Sequence, residues 1–173
     1  MSEGQLTKAF LEFTGTGGAK CPGGLFPVQF NPVKLEYCVS SGQTEDERQE
    51  KIMNFQSGKQ KEVWQAAYEK PQMIEAELRF PLIFDRSLEP EKGVAGEVEG
   101  FVAAVLDPFK RNVVFRWGSL RFEGSLRLIS GEYTMFSSRG KPLRASISVS
   151  ICSSGRDSIP KSWTDAAGKI FGV

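Results

Sequence analysis

Apolar and polar residues alternate over much of this chain, and the pattern is cleanest close to its C-terminal end. Leu143, Ala145, Ile147, Val149 and Ile151 fall on one side of an extended segment, with Arg144, Ser146, Ser148 and Ser150 on the other. A slip of one residue would carry Arg144 into the core, so the register of this strand is predicted to be firmly set. In 73–85 the same period places Leu78, Phe80, Leu82 and Phe84 on one face and Arg79 and Asp85 on the other. Pro81, on the polar side, predicts an edge or a bulge there. A further strand runs from Asn112 to Gly118. It is followed by 120–131, with Leu120, Phe122, Leu126 and Leu128 on one side and Arg121, Glu123 and Arg127 on the other. After 132–136, the turn 137–142 offers Gly140 for a positive φ and Pro142 to open the return strand.

Other segments break the alternation. Residues 6–13 predict a first strand, 14–24 are glycine-rich and predict a loop, and Asn31-Pro32 divides 25–39 into two short extended pieces. In 93–107 the period changes to that of a helix. Val94, Val98, Phe101, Val102, Val105 and Leu106 form one stripe, closed by Asp107-Pro108. Residues 40–62 are strongly polar, with Ile52, Met53 and Phe55 as their only anchors. Two readings stand for them, a mobile surface loop or an arm that orders against a neighbouring subunit. The chain thus reads as a mainly β, β-rich α+β domain over 1–155, with one amphipathic helix around 93–107. Its sheet is antiparallel, one face on a core and one in water. A short tail follows at 156–173, where Trp163, Ile170 and Phe171 are expected to dock.

Composition narrows the function. The length of 173 residues suffices for one domain with a real core. Lys plus Arg number 22 against 21 Asp plus Glu, a net charge of +1 that argues against a nucleic-acid binder driven by bulk electrostatics. There is no histidine, which removes the commonest general base and the commonest metal ligand. Cys21, Cys38 and Cys152 are isolated and share no ligand spacing, so neither zinc nor a disulfide framework is indicated. No leader-like segment opens the sequence and no apolar stretch approaches 18 residues, so synthesis in the cytoplasm without membrane insertion is expected. No serine sits in a G-x-S-x-G elbow. The expectation is a protein with no catalytic group, cofactor or metal.

What remains is a set of arginines in the last strands. Arg116, Arg121, Arg127, Arg139 and Arg144 read either as solvated residues paired with Glu123, Glu132 and their neighbours, or as an interface. Trp117 divides in the same way between core aromatic and contact anchor.

The order of features carries a resemblance. Phe30-Asn31-Pro32 comes first, then Leu82 to Asp85 leading into the helix. Trp117-Gly118 precedes Phe122-Glu123-Gly124, and Phe136 precedes Gly140-Lys141-Pro142-Leu143-Arg144-Ala145. In this order the chain resembles the contractile injection system tube protein family of phage-tail-like particles, over roughly residues 26 to 152. The resemblance implies a tail-tube-like β-barrel or sandwich with one helix. It also implies a structural protein that joins the inner tube and spike hub to the baseplate, as a six-membered ring (a hexamer). Its partners would be copies of itself and the tube, spike hub and baseplate proteins of the same particle. Under that reading Arg116, Trp117, Arg121, Arg127, Arg139, Arg144, Ile52, Met53 and Phe55 are the expected interface. Many relatives continue into a LysM module, whereas this sequence stops at Val173, so a contact through that module is not expected. The alternative from the residues alone is a stand-alone ligand-binding β-barrel or sandwich.

Overall fold

A computed structural model of the chain describes residues 6–14, 20–40, 75–154 and 159–172. Among these residues seven strands and three helices follow in order: β1 (Phe10–Thr14), β2 (Lys20–Pro27), β3 (Glu36–Ser40), β4 (Glu75–Asp85), α1 (Ala95–Leu106), β5 (Asn112–Trp117), β6 (Leu120–Phe136), β7 (Pro142–Ser154), α2 (Lys161–Thr164) and α3 (Ala166–Phe171). The strands form one antiparallel sheet in the order β2-β1-β5-β6-β7-β4-β3. The mainly β expectation holds. The glycine-rich loop expected over 14–24 is shorter than that, because 20–27 pair with β1. Glycine content weakens a strand without forbidding one, and here an existing partner edge supplies the hydrogen bonds.

The sheet is rolled. Three strand spacings separate β4 from β5, about 14 Å across a flat sheet. Yet the rings of Phe80 and Phe115 stand with centroids 4.5 Å apart. Five spacings separate β2 from β4, about 24 Å if flat, and Phe26 still meets Phe84 at 6.1 Å. Among the described residues no backbone ladder joins the two ends, so the roll is not closed by strands. Phe101 of α1 fills the gap instead, with ring contacts to Phe13, Phe26 and Phe84. Two glycines of β6 allow the bending. A Cβ on Gly124 would lie 2.4 Å from the carbonyl oxygen of Cys152, and one on Gly131 2.3 Å from that of Ser146. Only a residue without a side chain lets β6 cross β7 that closely.

Inside the roll lie the residues that the alternation marked. Ala76, Leu78, Phe80, Leu82 and Phe84 of β4 and Leu143, Ala145, Ile147, Val149 and Ile151 of β7 are all buried, with Leu78, Phe80, Leu82 and Phe84 opposite Ile151, Val149, Ile147 and Ala145. β3 pairs with β4 only as far as Arg79, so Pro81 stands where β4 has lost one neighbour, as its proline suggested. Gly140 adopts the expected positive φ, at 78°. Ser137 organises that turn, its Oγ accepting from the N–H groups of Arg139 and Lys141 at 3.3 and 3.1 Å.

Two expectations fail in detail. A bulge between Leu126 and Leu128 makes Arg127 an extra residue, pairs Leu128 with Ser150 on the outer face and hands the core position to Ile129. Strict alternation cannot show such an insertion. In α1, Phe101 and Ala104 are the buried residues, Val98 and Val105 pack at their flanks, and Val102 and Leu106 are exposed. The helix leans on the core along a narrower line than its apolar stripe, because its neighbours are bulky phenylalanines. The tail packs through Ile159 and Trp163, which touches Tyr37 and Phe122. Ile170 and Phe171 remain exposed.

Candidate assembly surface

β6 is much longer than β5. Its pairing with β5 ends at Ser125, opposite Asn112, and beyond Leu126 its only strand partner among the described residues is β7, with α1 packed nearby. This overhang ends in exposed Leu128, Tyr133, Met135 and Phe136. A strand edge with unpaired backbone groups and apolar side chains is a template for another chain unless something covers it. The sequence marks the strand, but the length of its overhang depends on where β5 starts to pair with it, which is a tertiary fact.

The outer face of the sheet next to this edge is polar. Ser130 pairs with Ser148 and Glu132 with Ser146, forming a belt of short side chains. Ion pairs bound the belt at both ends. At one end Arg79 grips Glu77 in two-point fashion, Nε to Oε1 at 2.7 Å and Nη2 to Oε2 at 2.9 Å. The Ser150 hydroxyl donates to Glu77 Oε1 at 2.5 Å. Arg79 first, then Ser150, holds the Glu77 carboxyl below its ordinary range against the effect of burial. At the other end Arg144 donates to Asp85 Oδ2 through Nε at 2.9 Å and Nη2 at 2.5 Å.

The expected interface residues separate into three groups. Arg116, Arg121 and Arg144 pair within the chain, with Glu12 at 3.6 Å, Glu123 at 2.6 Å and Asp85 respectively. Trp117 packs against the core and donates its indole N–H to the Thr7 carbonyl at 3.1 Å. Arg127 and Arg139 are exposed and make no ion pair among the described residues. Ile52, Met53 and Phe55, with most of the 40–62 segment, lie outside the described residues.

Arg111 and Gln29 escaped the pattern, and the role of Asn31 went beyond the break it marked. Arg111 precedes β5 as a lone charge in a loop, and no local signal singles it out. Gln29 and Asn31 stand in "VQFNP", where two amides interrupt an apolar run. Asn31 accepts from the Ala9 N–H and donates to the Thr7 carbonyl, each at 2.9 Å, which fixes the entry to β1.

Cys38 and Cys152 are not placed to form a disulfide. Cys38 and Cys152 both oppose Glu77 on its two flanking strands, and two strand spacings, about 9.6 Å, exceed what a disulfide spans. The Cys21 side chain lies outside the described part. Burial raises the Cys152 thiol pKa, which keeps it protonated and unreactive. Among the described residues no group of His, Cys, Asp or Glu is arranged to hold a metal, and no helix is long and apolar enough to cross a membrane.

A family model, described as contractile injection system tube protein, matches residues 5–159, nearly the whole sheet domain. The chain belongs to the contractile injection system tube protein family. No curated protein matches it. Membership makes this tube protein a structural component of a contractile injection system, built to assemble with other parts of a particle. The Asn31 clamp, the Trp117-Gly118 turn and the Gly140 turn, which carried the resemblance, all fall inside the match and all hold backbone geometry.

Proposed function

We propose that this tube protein acts without catalysis, joining the inner tube and spike hub of its particle to the baseplate as one subunit of a six-membered ring. The observation that carries the proposal is the β6 overhang. Within this family, an edge with no second strand partner beyond Leu126 among the described residues, rimmed by Leu128, Met135 and Phe136, fits strand-to-strand contact with a neighbouring copy. Arg127 and Arg139, which have no carboxylate of their own, are the best of the arginines for that contact. Arg144, opposite Met135, would join it only on its exposed side, and Arg116, Trp117 and Arg121, at the other end of β6, would serve a separate contact. The serine belt would face water or a wet neighbour.

The test is expression with the tube and spike-hub proteins of the same particle, read by negative-stain imaging and light scattering. Rings, or incorporation into partner rings, are expected. Replacing Phe136 with Lys should leave the monomer folded and abolish them. A protein that stays monomeric with every partner overturns the proposal.

An apolar groove favours a second reading, that of a ligand-binding domain. It lies between α1 and β1–β2, has a volume of about 720 Å³, and is lined by Phe13, Leu25, Phe26, Gly100, Phe101 and Ala104. A size of that order suits a small apolar molecule. A screen in which small molecules raise the melting temperature, and partner proteins do not, would favour this reading.

A further inference from the structure

Arg111 and Arg127 line the same notch, a space of about 370 Å³ where the start of β5 meets β6, β7 and β4. Arg79, Arg86, Arg116, Arg121 and Arg144 each have a carboxylate within ion-pair distance, but among the described residues neither arginine of the notch does. The Arg111 Nε is also buried without an acceptor. A guanidinium N–H removed from water and left unbonded is costly, so such a group commonly marks a place that something else completes.

The rest of the notch narrows what that is. Glu75 and Glu77 stand on its far wall beside Cys38 and Cys152. Glu77 is already committed to Arg79 and Ser150. Ser125 gives its hydroxyl proton to Asn112 Oδ1 at 2.8 Å, so it offers no donor. Two guanidinium groups facing a wall of carboxylates suit one planar negative charge and disfavour a doubly charged phosphate. The volume is that of a side chain and not of a folded segment.

We infer that the notch is a carboxylate-binding site that takes an acidic side chain from a neighbouring protein. Arg127 supplies an exposed fork to attract it, and Arg111 a buried donor to complete. The choice of a protein as the source rests on the assembly reading above, whereas binding of the carboxylate itself does not.

The experiment follows the arginine Nε–Hε signals of the full ¹⁵N-labelled chain by NMR. Three probes are added in turn: N-acetylglutamate N-methylamide, its glutamine counterpart and inorganic phosphate. The glutamate probe should move the Arg111 and Arg127 signals saturably, and the glutamine probe should not. Arg127→Gln, at an exposed position that leaves the fold intact, should weaken binding by about tenfold, while Lys169→Gln, exposed in the tail, should leave it unchanged. Absence of a saturable shift, equal response to the glutamine probe, or undiminished binding by Arg127→Gln overturns the inference. Saturation by phosphate alone overturns it too, by assigning the notch to a free inorganic anion. A positive titration from a protein that forms no rings would preserve the site while removing the assembly reading.

Discussion

The side-chain amide of Gln29 makes both hydrogen bonds to the backbone of Asp85, donating from Nε2 to the carbonyl and accepting at Oε1 from the N–H, each at 2.8 Å. Asp85 ends β4 on the side that β3 does not reach, so its backbone groups have no strand there. One amide thus stands in for a missing strand and ties the segment after β2 to β4 across the gap in the roll. Removing it leaves two partly buried backbone groups unsatisfied. Gln29→Ala is expected to lower stability by about 1–3 kcal/mol, read as a reduced urea midpoint. An unchanged midpoint would mean that Phe101 alone holds the gap.

Asp85 also titrates far from its ordinary value. Hydrogen bonds from Ser87, with its backbone N–H at 2.9 Å, and then Arg144 push its pKa down to about 2. A carboxyl with a depressed folded-state pKa contributes stability above its unfolded value, near 4, and loses that contribution as pH falls through 2. Asp85→Asn should therefore melt below the unaltered protein at pH 7, and the difference should shrink between about pH 4 and pH 2. A difference that stays constant across that window would refute the linkage.

Glycines of the sheet and of the helix should respond in opposite directions. Gly131→Ala puts a methyl group against the Ser146 backbone, which cannot swing aside, and should cost about 1–3 kcal/mol. Gly100→Ala meets nothing within 4 Å in the middle of α1 and should stabilise by about 0.5–1 kcal/mol. Thermal melts of both variants against the unaltered protein provide the comparison.

Ile147 is buried at the centre of β7, opposite Leu82. Ile147→Asp would strand a carboxylate with no cation near it and should abolish the cooperative unfolding transition, as seen by circular dichroism. At the neighbouring outer-face position Ser148→Asp faces Ser130 and water, and should keep a normal transition. If the two behaved alike, the assignment of faces would be wrong.

Local pattern was enough to settle most strands and their inward faces by period-two alternation, the turn at Gly140 by its residues, and the helix between β4 and β5 by its longer period. Each of these follows from which local residues must leave water. It was not enough for the face of Leu128, because a bulge changes phase without changing composition. It also missed β2, whose glycines become a strand only because β1 is there to pair with them. How far β6 overhangs β5, and the meeting of Arg111 with Arg127 at one notch, depend on strand order, since residues far apart in the chain become neighbours only through the sheet. Most of what is buried thus follows from the local cost of exposing apolar side chains, which the chain carries in its pattern. Which edges and charges are left without partners follows from strand order, because partnership is a property of the rolled sheet and not of any one segment.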